Sequence, residues 1–337
     1  MLQTTAFIAP FEELLVKENG AIIAIVRLQT ESIKSSYSIV PSNFFGFFKR
    51  RLAGIKVIRR LAKQWYFFKI LESIEQADQV FIHNDIDLAE FLQKRLPLKA
   101  LTLQLHNDVA DHDVPRLRKF RNLVVCSEFL RTRLAKYGCR AEVLCNPISK
   151  EIELAIKDSK PFGQRRFNYA FIGRFDDNKG FERVLSAMNK RQGVWLVVEA
   201  PSPRSIRQLV LRFKLWCLSS RGDVRYYYNL SREELVGKLL LTQVLVVPTK
   251  YNEAFGNVAL EGLLCGCTVL TSKVGGLADL DTFNFISLDD FLTAREVDES
   301  ILTVLGKAQN DASRSLLHRH SVSVYKSALT KLLADVK

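Results

Sequence analysis

The stretch from Val244 to Gly266 constrains this chain more than any other. Val244-Leu-Val-Val is short, apolar and β-branched, and Pro248 ends it, the pattern of a strand buried in a parallel sheet. After Gly256 the apolar residues Val258, Leu260, Leu263 and Leu264 recur at helical spacing, and Gly266 supplies the stop. The helix therefore opens near Phe255-Gly256-Asn257, at the carboxyl end of the strand, where its first N–H groups attract anions, phosphate above all. Glu253 falls in the turn and Glu261 about two turns into the helix. Two acceptor-only carboxylates so placed suit a ligand with hydroxyls on either side of its phosphates.

The same strand-then-helix plan recurs along the chain. Thr5–Ala9, Tyr37–Val40, Gln79–His83, Ala100–His106, Leu123–Ser127 and Ala141–Leu144 read as strands of a first domain, residues 1–150. Helices open at Ala21, run from Asp87 to Arg95, and follow Ser127 as far as Tyr137. Asn146-Pro147 is a turn, and the polar stretch from Lys150 to Arg166 reads as a linker. Asn168–Ile172, Val194–Val198, Arg225–Asn229, Val244–Pro248 and Thr268–Thr271 then carry a second domain, residues 151–320. Its helices include Arg204–Leu218 and, behind the capping box Ser231…Glu234, Leu235–Leu241. Residues 321–337 hold a closing helix expected to return to the first domain. Open α/β sheets bind ligands at the carboxyl ends of their strands. That rule singles out His83-Asn84-Asp85, His106-Asn107-Asp108 and the glycine-bounded loop Gly173-Arg174…Lys179-Gly180. In the last of these, an arginine fork and a lysine point charge suit a diphosphate.

Glu253-Ala-Phe-Gly-Asn-Val-Ala-Leu-Glu261, with Gly275-Gly276 behind it and Gly173-Arg174…Lys179-Gly180 ahead, resembles the retaining family 4 glycosyltransferases, among them bacterial surface-polysaccharide and lipopolysaccharide enzymes. The resemblance implies the GT-B architecture: α/β, two Rossmann-like domains with parallel sheets facing across an interdomain cleft. It implies that Glu253 contacts the donor sugar and Glu261 the ribose, with Phe255, Gly256 and Asn257 lying against the sugar and diphosphate. Gly173, Arg174 and Lys179 would meet the departing diphosphate, and His106 would lie near the donor sugar; local hydrogen bonding suffices to account for His83. The family's glycine-rich first loop is reduced here to Asn19-Gly20, and Asp279 stands where relatives carry Glu. One glycine still permits a close backbone approach to donor or acceptor.

Net charge is +13, which favours an anionic partner. No acidic residue occurs from Ser32 to Leu71, where Phe44-Phe45-Gly46-Phe47-Phe48 leads into a basic helical pattern. Leu52, Ile55, Ile58, Ala62, Trp65 and Phe68 can share one face; Lys49, Arg50, Lys56, Arg60 and Lys63 supply the charge. Such a helix suits an anionic membrane surface, and equally a domain core with a solvated basic face. The resemblance favours the membrane, since several relatives dock through this region. No nucleic-acid motif accompanies the charge, so no nucleic-acid partner is expected. The six cysteines show no C-x-x-C pair or matched histidines, and no metal is expected. Without a basic leader or a long apolar run, the expected place is the cytosol, free or peripheral on the cytoplasmic face of the inner membrane.

The expected function is retaining transfer of a hexose from a nucleoside-diphosphate sugar, a UDP-sugar first, to a hydroxyl of a surface-glycan or lipopolysaccharide-type acceptor. The nucleotide-sugar is a substrate and no cofactor is called for. His106, Arg174, Lys179 and Glu253 are the candidate catalytic residues. The alternative is a noncatalytic membrane- or nucleic-acid-binding protein on a decayed transferase fold, against which the intact set Arg174, Lys179, Glu253 and Glu261 argues.

Overall fold

A computed structural model describes residues 3–10, 21–39, 56–156, 161–189, 192–201, 205–220, 222–272, 274–280 and 315–336. The chain divides into two units, Met1–Asn146 with Tyr325–Lys337, and Pro147–Val324.

In the first unit β1 (Thr5–Ile8), α1 (Ala21–Ser32), β2 (Ser36–Ile39), α2 (Lys56–Ser73), β3 (Gln79–His83), α3 (Ile86–Arg95), β4 (Ala100–Leu105), α4 (Val114–Leu117), β5 (Asn122–Val125), α5 (Glu128–Ala135) and β6 (Glu142–Val143) alternate. The six strands form one parallel sheet in the order β2-β1-β3-β4-β5-β6. β1 and β3 are wholly buried, and Phe7 meets Phe81 at 5.5 Å between centroids. Continuous apolar strands of this kind need helices on both faces.

The second unit holds α6 (Lys150–Ala155), β7 (Phe167–Gly173), α7 (Phe181–Met188), β8 (Trp195–Glu199), α8 (Ile206–Ser219), β9 (Val224–Tyr228), α9 (Arg232–Leu239), β10 (Thr242–Val247), α10 (Asn257–Leu264) and β11 (Thr268–Thr271). Its parallel sheet runs β11-β10-β7-β8-β9. The core gathers Phe171, Phe175, Phe181, Trp195 and Val246, with the rings of Phe175 and Phe181 stacked at 3.8 Å. The last helix, α11 (Val322–Asp335), sends Tyr325, Leu329, Leu332 and Leu333 into the core of the first unit beside Phe7, Val26 and Phe81. Gln29 Nε2 donates to Tyr325 Oη, and Gln79 Nε2 to the Leu333 carbonyl, both at 2.9 Å.

Two expectations are corrected. The stretch read as a linker contains α6 and a 3-10 turn at Phe162–Gln164. Glu261 is the fifth residue of α10, just over one turn in. On α2 the buried side is Tyr66, Phe67 and Ile70, while Trp65 and Phe68 are 40 % and 51 % exposed. Tyr66 Oη donates to the Ala9 carbonyl at 2.9 Å and fixes that rotation. The run Trp65-Tyr-Phe-Phe68 is apolar all round, so spacing alone does not select its inner face. Lys63 is tied to Asp87 at 2.9 Å instead of standing clear. Asn19, Gly20, Lys49 and Arg50 lie outside the described residues, as do the side chains of Lys56 and Arg60.

Candidate functional site

In the second sheet the chain runs outward from β7 to β8 and β9 on one side, and from β10 to β11 on the other. The switch point therefore lies between β7 and β10, where the loops leaving adjacent strands diverge and leave a crevice. Those two loops are Arg174–Gly180 and Pro248–Gly256, and they carry the residues singled out by sequence. Lys179 Nζ lies 2.5 Å from Glu253 Oε2 and bridges the two loops. Backbone reinforces the closure, since Lys250 N–H donates to the Asn178 carbonyl at 2.8 Å.

Each loop is built to present its side chain. Asp176 accepts from the Lys179 N–H at 3.0 Å, which turns the loop back towards α7, and its other oxygen lies 3.0 Å from Arg174 Nε. The Phe175–Phe181 stack anchors the loop in the core and leaves Arg174 45 % exposed at its rim. On the other side Gly276 N–H donates to the Glu253 carbonyl at 2.6 Å, and Gly275 forms a parallel bridge to Glu253. Gly256 precedes α10, and the Phe255 ring meets His320 edge-on at 5.4 Å.

Glu261 is buried, and Arg232 Nη2 meets its Oε1 at 2.5 Å; Arg232 Nε donates to Ser149 Oγ at 3.2 Å. Arg232 was not singled out by sequence. The signal was there, because it opens α9 directly after the carboxyl end of β9, within the capping box already recognised. Gly173, Arg174, Lys179, Glu253, Phe255, Gly256, Asn257 and Glu261 thus all sit at the carboxyl ends of β7 and β10 or on the helix that follows. Among the described residues no group of three His, Cys, Asp or Glu side chains converges to hold a metal ion.

His106 belongs to the first unit. There β3 and β4 pair in register, so His83 at the end of one strand and His106 just beyond the other become neighbours. Their rings stack at 8°, with His83 Nδ1 and His106 Nε2 at 2.9 Å. His106 Nδ1 faces Asn146 Oδ1 at 3.4 Å, so the proton is best placed on that nitrogen. His106 Nε2 then accepts from His83 Nδ1–H, and the buried His83 Nε2 keeps a lone pair with no partner. His106 therefore stands as one member of a hydrogen-bonded pair with His83.

Burial holds His106 down at about 4 and His83 well below its ordinary value, the neighbouring ring adding to the effect on His83. The unfolded chain takes up the His106 proton near pH 6.5 and the folded chain only near 4. Stability from the neutral rings is therefore full above pH 6.5 and drains away as the pH falls towards 4, on the order of 3 kcal/mol for His106. Thermal unfolding of the first unit is expected to move down steadily across that window, and less so in His83→Gln/His106→Gln. Parallel pH profiles for the two proteins would rule out this account.

Residues 153–285 match the sequence profile of the family described as Glycosyl transferases group 1. The lipopolysaccharide 1,2-N-acetylglucosaminetransferase of Salmonella typhimurium is 22 % identical over 77 % of this chain and 74 % of its own. Further curated relatives are matched over half of their length or less. Sucrose-phosphate synthase from Thermosynechococcus elongatus superposes with a TM-score of 0.73 at 15 % identity, over 98 % of both chains. Anabaena HepE in complex with UDP does so with a TM-score of 0.70 at 14 % identity, over 98 % of this chain and 100 % of its own. The α/β plan of two parallel, Rossmann-like sheets is that of GT-B transferases.

Proposed function

Because residues 153–285 form a glycosyl transferases group 1 domain, we propose that the chain moves a hexose from a nucleoside-diphosphate sugar, a UDP-sugar first, to a hydroxyl of a lipopolysaccharide or other surface-glycan acceptor, with retention of configuration. The observation that carries the reading is the Lys179–Glu253 bridge at the switch point of the second sheet. An ammonium has three donors, and one carboxylate oxygen leaves two for phosphate. Arg174 spends Nε on Asp176 and keeps four donors. The start of α10 adds N–H groups that have no intrahelical carbonyl to reach. Together these offset the charge that gathers on a departing diphosphate, a contribution that is often the largest in such reactions. The reading requires no metal or cofactor. Glu253 then holds a sugar hydroxyl while its other contact steadies Lys179, and Glu261, oriented by Arg232, accepts from the ribose. The Salmonella relative supports the acceptor class, and the UDP held by HepE supports the donor.

Calorimetric titration with UDP and then with UDP-sugars tests the donor site. Wild type is expected to bind saturably, and Glu261→Ala about 10- to 100-fold more weakly, the usual worth of a charge-assisted hydrogen bond. Equal affinity in the two proteins would remove Glu261 from the site, and no binding of any nucleotide or nucleotide-sugar would remove the transferase reading.

A further inference from the structure

α8 has two apolar faces. Gln208, Leu211 and Leu215 are buried, with Leu218 packed against the same core. At about 100° per residue, Ile206, Leu209, Val210, Phe213, Trp216 and Cys217 fall within a sector of about 120° on the opposite side. Five of these are 83 %, 60 %, 46 %, 64 % and 66 % exposed in that order, and Cys217 is exposed too. The rings of Phe213 and Trp216 lie together at 6.0 Å. A surface helix ordinarily turns charge to water on that side, and a contiguous apolar strip of large side chains marks a surface that something covers.

Charge identifies the cover. From Ala200 to Gly222 the chain has no acidic residue and five cations, Arg204, Arg207, Arg212, Lys214 and Arg221. Along the helix Arg207 and Lys214 border the apolar strip on one side and Arg212 on the other. Arg207 is paired with Asp177 and Glu182, and Arg212 forks onto the buried Glu199 at 2.7 and 2.8 Å. Lys214 is exposed at the border. Tyr228, 50 % exposed on the edge strand β9, lies under Arg212 at 5.4 Å and sets an aromatic ring with a polar tip beside the strip. A nucleic acid would leave the apolar strip in water.

We propose that the outward face of α8 is a docking face for an anionic lipid surface. The helix spans about 21 Å, too short to cross a bilayer, and lies in the interface with Ile206, Leu209, Phe213 and Trp216 in the acyl boundary and Lys214 at headgroup level. This face belongs to the second unit, whereas residues 44–69 belong to the first, and the inference does not depend on the transferase reading.

The test uses the full chain and vesicles of equimolar phosphatidylglycerol and phosphatidylcholine, with pure phosphatidylcholine as the comparison. A polarity-sensitive fluorophore is placed on Cys217, which is exposed within the strip. Co-sedimentation with the anionic vesicles is expected, together with a blue shift of the probe, and both weaken as salt is raised. Phe213→Glu/Trp216→Glu is expected to lower vesicle partitioning about 10²-fold or more, since each ring contributes on the order of tenfold. Both positions are already exposed, so unchanged melting and unchanged UDP titration show that the variant is folded. Absence of sedimentation, sedimentation with an unmoved Cys217 probe, or equal partitioning of the double variant would each overturn the proposal. So would a wild-type dimer that the double variant splits, which would assign the face to a second copy. Vesicle binding without UDP binding would leave this inference standing and remove the one before it.

Discussion

Lys179→Met is expected to lower kcat/KM for donor turnover by about 10²–10³-fold, the loss seen when one donor to developing negative charge is removed. Methionine keeps most of the aliphatic stem and deletes only the charge and its three donors. Folding is expected to survive, because Lys179 and Glu253 are each about a quarter exposed and the loop is held by its backbone. An exposed pair of this kind contributes roughly 0–1 kcal/mol to stability. The measurement is the rate of nucleotide release from a UDP-sugar, alongside a melting curve. Glu253→Gln separates the two partners, since it keeps the shape and removes the charge that steadies Lys179. If Lys179 meets the diphosphate, Lys179→Met weakens UDP itself, whereas Glu253→Gln weakens the UDP-sugar more than UDP. A Lys179→Met enzyme within a few-fold of wild type would take the lysine out of the reaction.

The two loops at the switch point of the second sheet were legible because their signals are local. A β-branched run, a terminating proline and a glycine at each bend specify strand, turn and helix without reference to the rest of the chain. What the sequence did not disclose depends on strand order. His83 and His106 are 23 residues apart and become partners only because β3 and β4 are neighbours in register. The place of Arg232 at the end of β9 could be read from the capping box, but its pairing with Glu261 depends on α9 packing against α10. Helices that are apolar on more than one side are the other blind spot. α2 buries Tyr66 and exposes Trp65, and α8 read simply as a long helix, since periodicity finds a stripe but not which of two stripes meets the core. α6 is hidden in its polar stretch because six residues, Lys150–Ala155, offer too few turns to show a period.

Gly275→Ala should remove the donor site altogether and destabilise the second unit. Gly275 has φ +62, and a Cβ there would lie 2.4 Å from the Glu253 carbonyl oxygen, 2.7 Å from its nitrogen and 3.0 Å from Asn252 Cα. All three are backbone atoms, so no side chain can swing aside. The left-handed backbone alone costs about 1–2 kcal/mol for a residue with a Cβ. Relieving the contact then pushes the Glu253 strand segment outwards, away from Lys179, and breaks the bridge that joins them. The sum is about 3 kcal/mol, or a fall of roughly 6–12 °C in the melting point of a unit this size. Gly222→Ala supplies the comparison, because Gly222 has φ +84 but nothing within 4 Å of the added carbon. It is expected to lose only the backbone share, about 2–8 °C, and to bind UDP-sugar as wild type does. Equal losses in the two variants would mean that the Gly275 contact relaxes without moving Glu253. Loss of UDP-sugar binding in Gly275→Ala alone ties the position of Glu253 to the close approach of the two backbones.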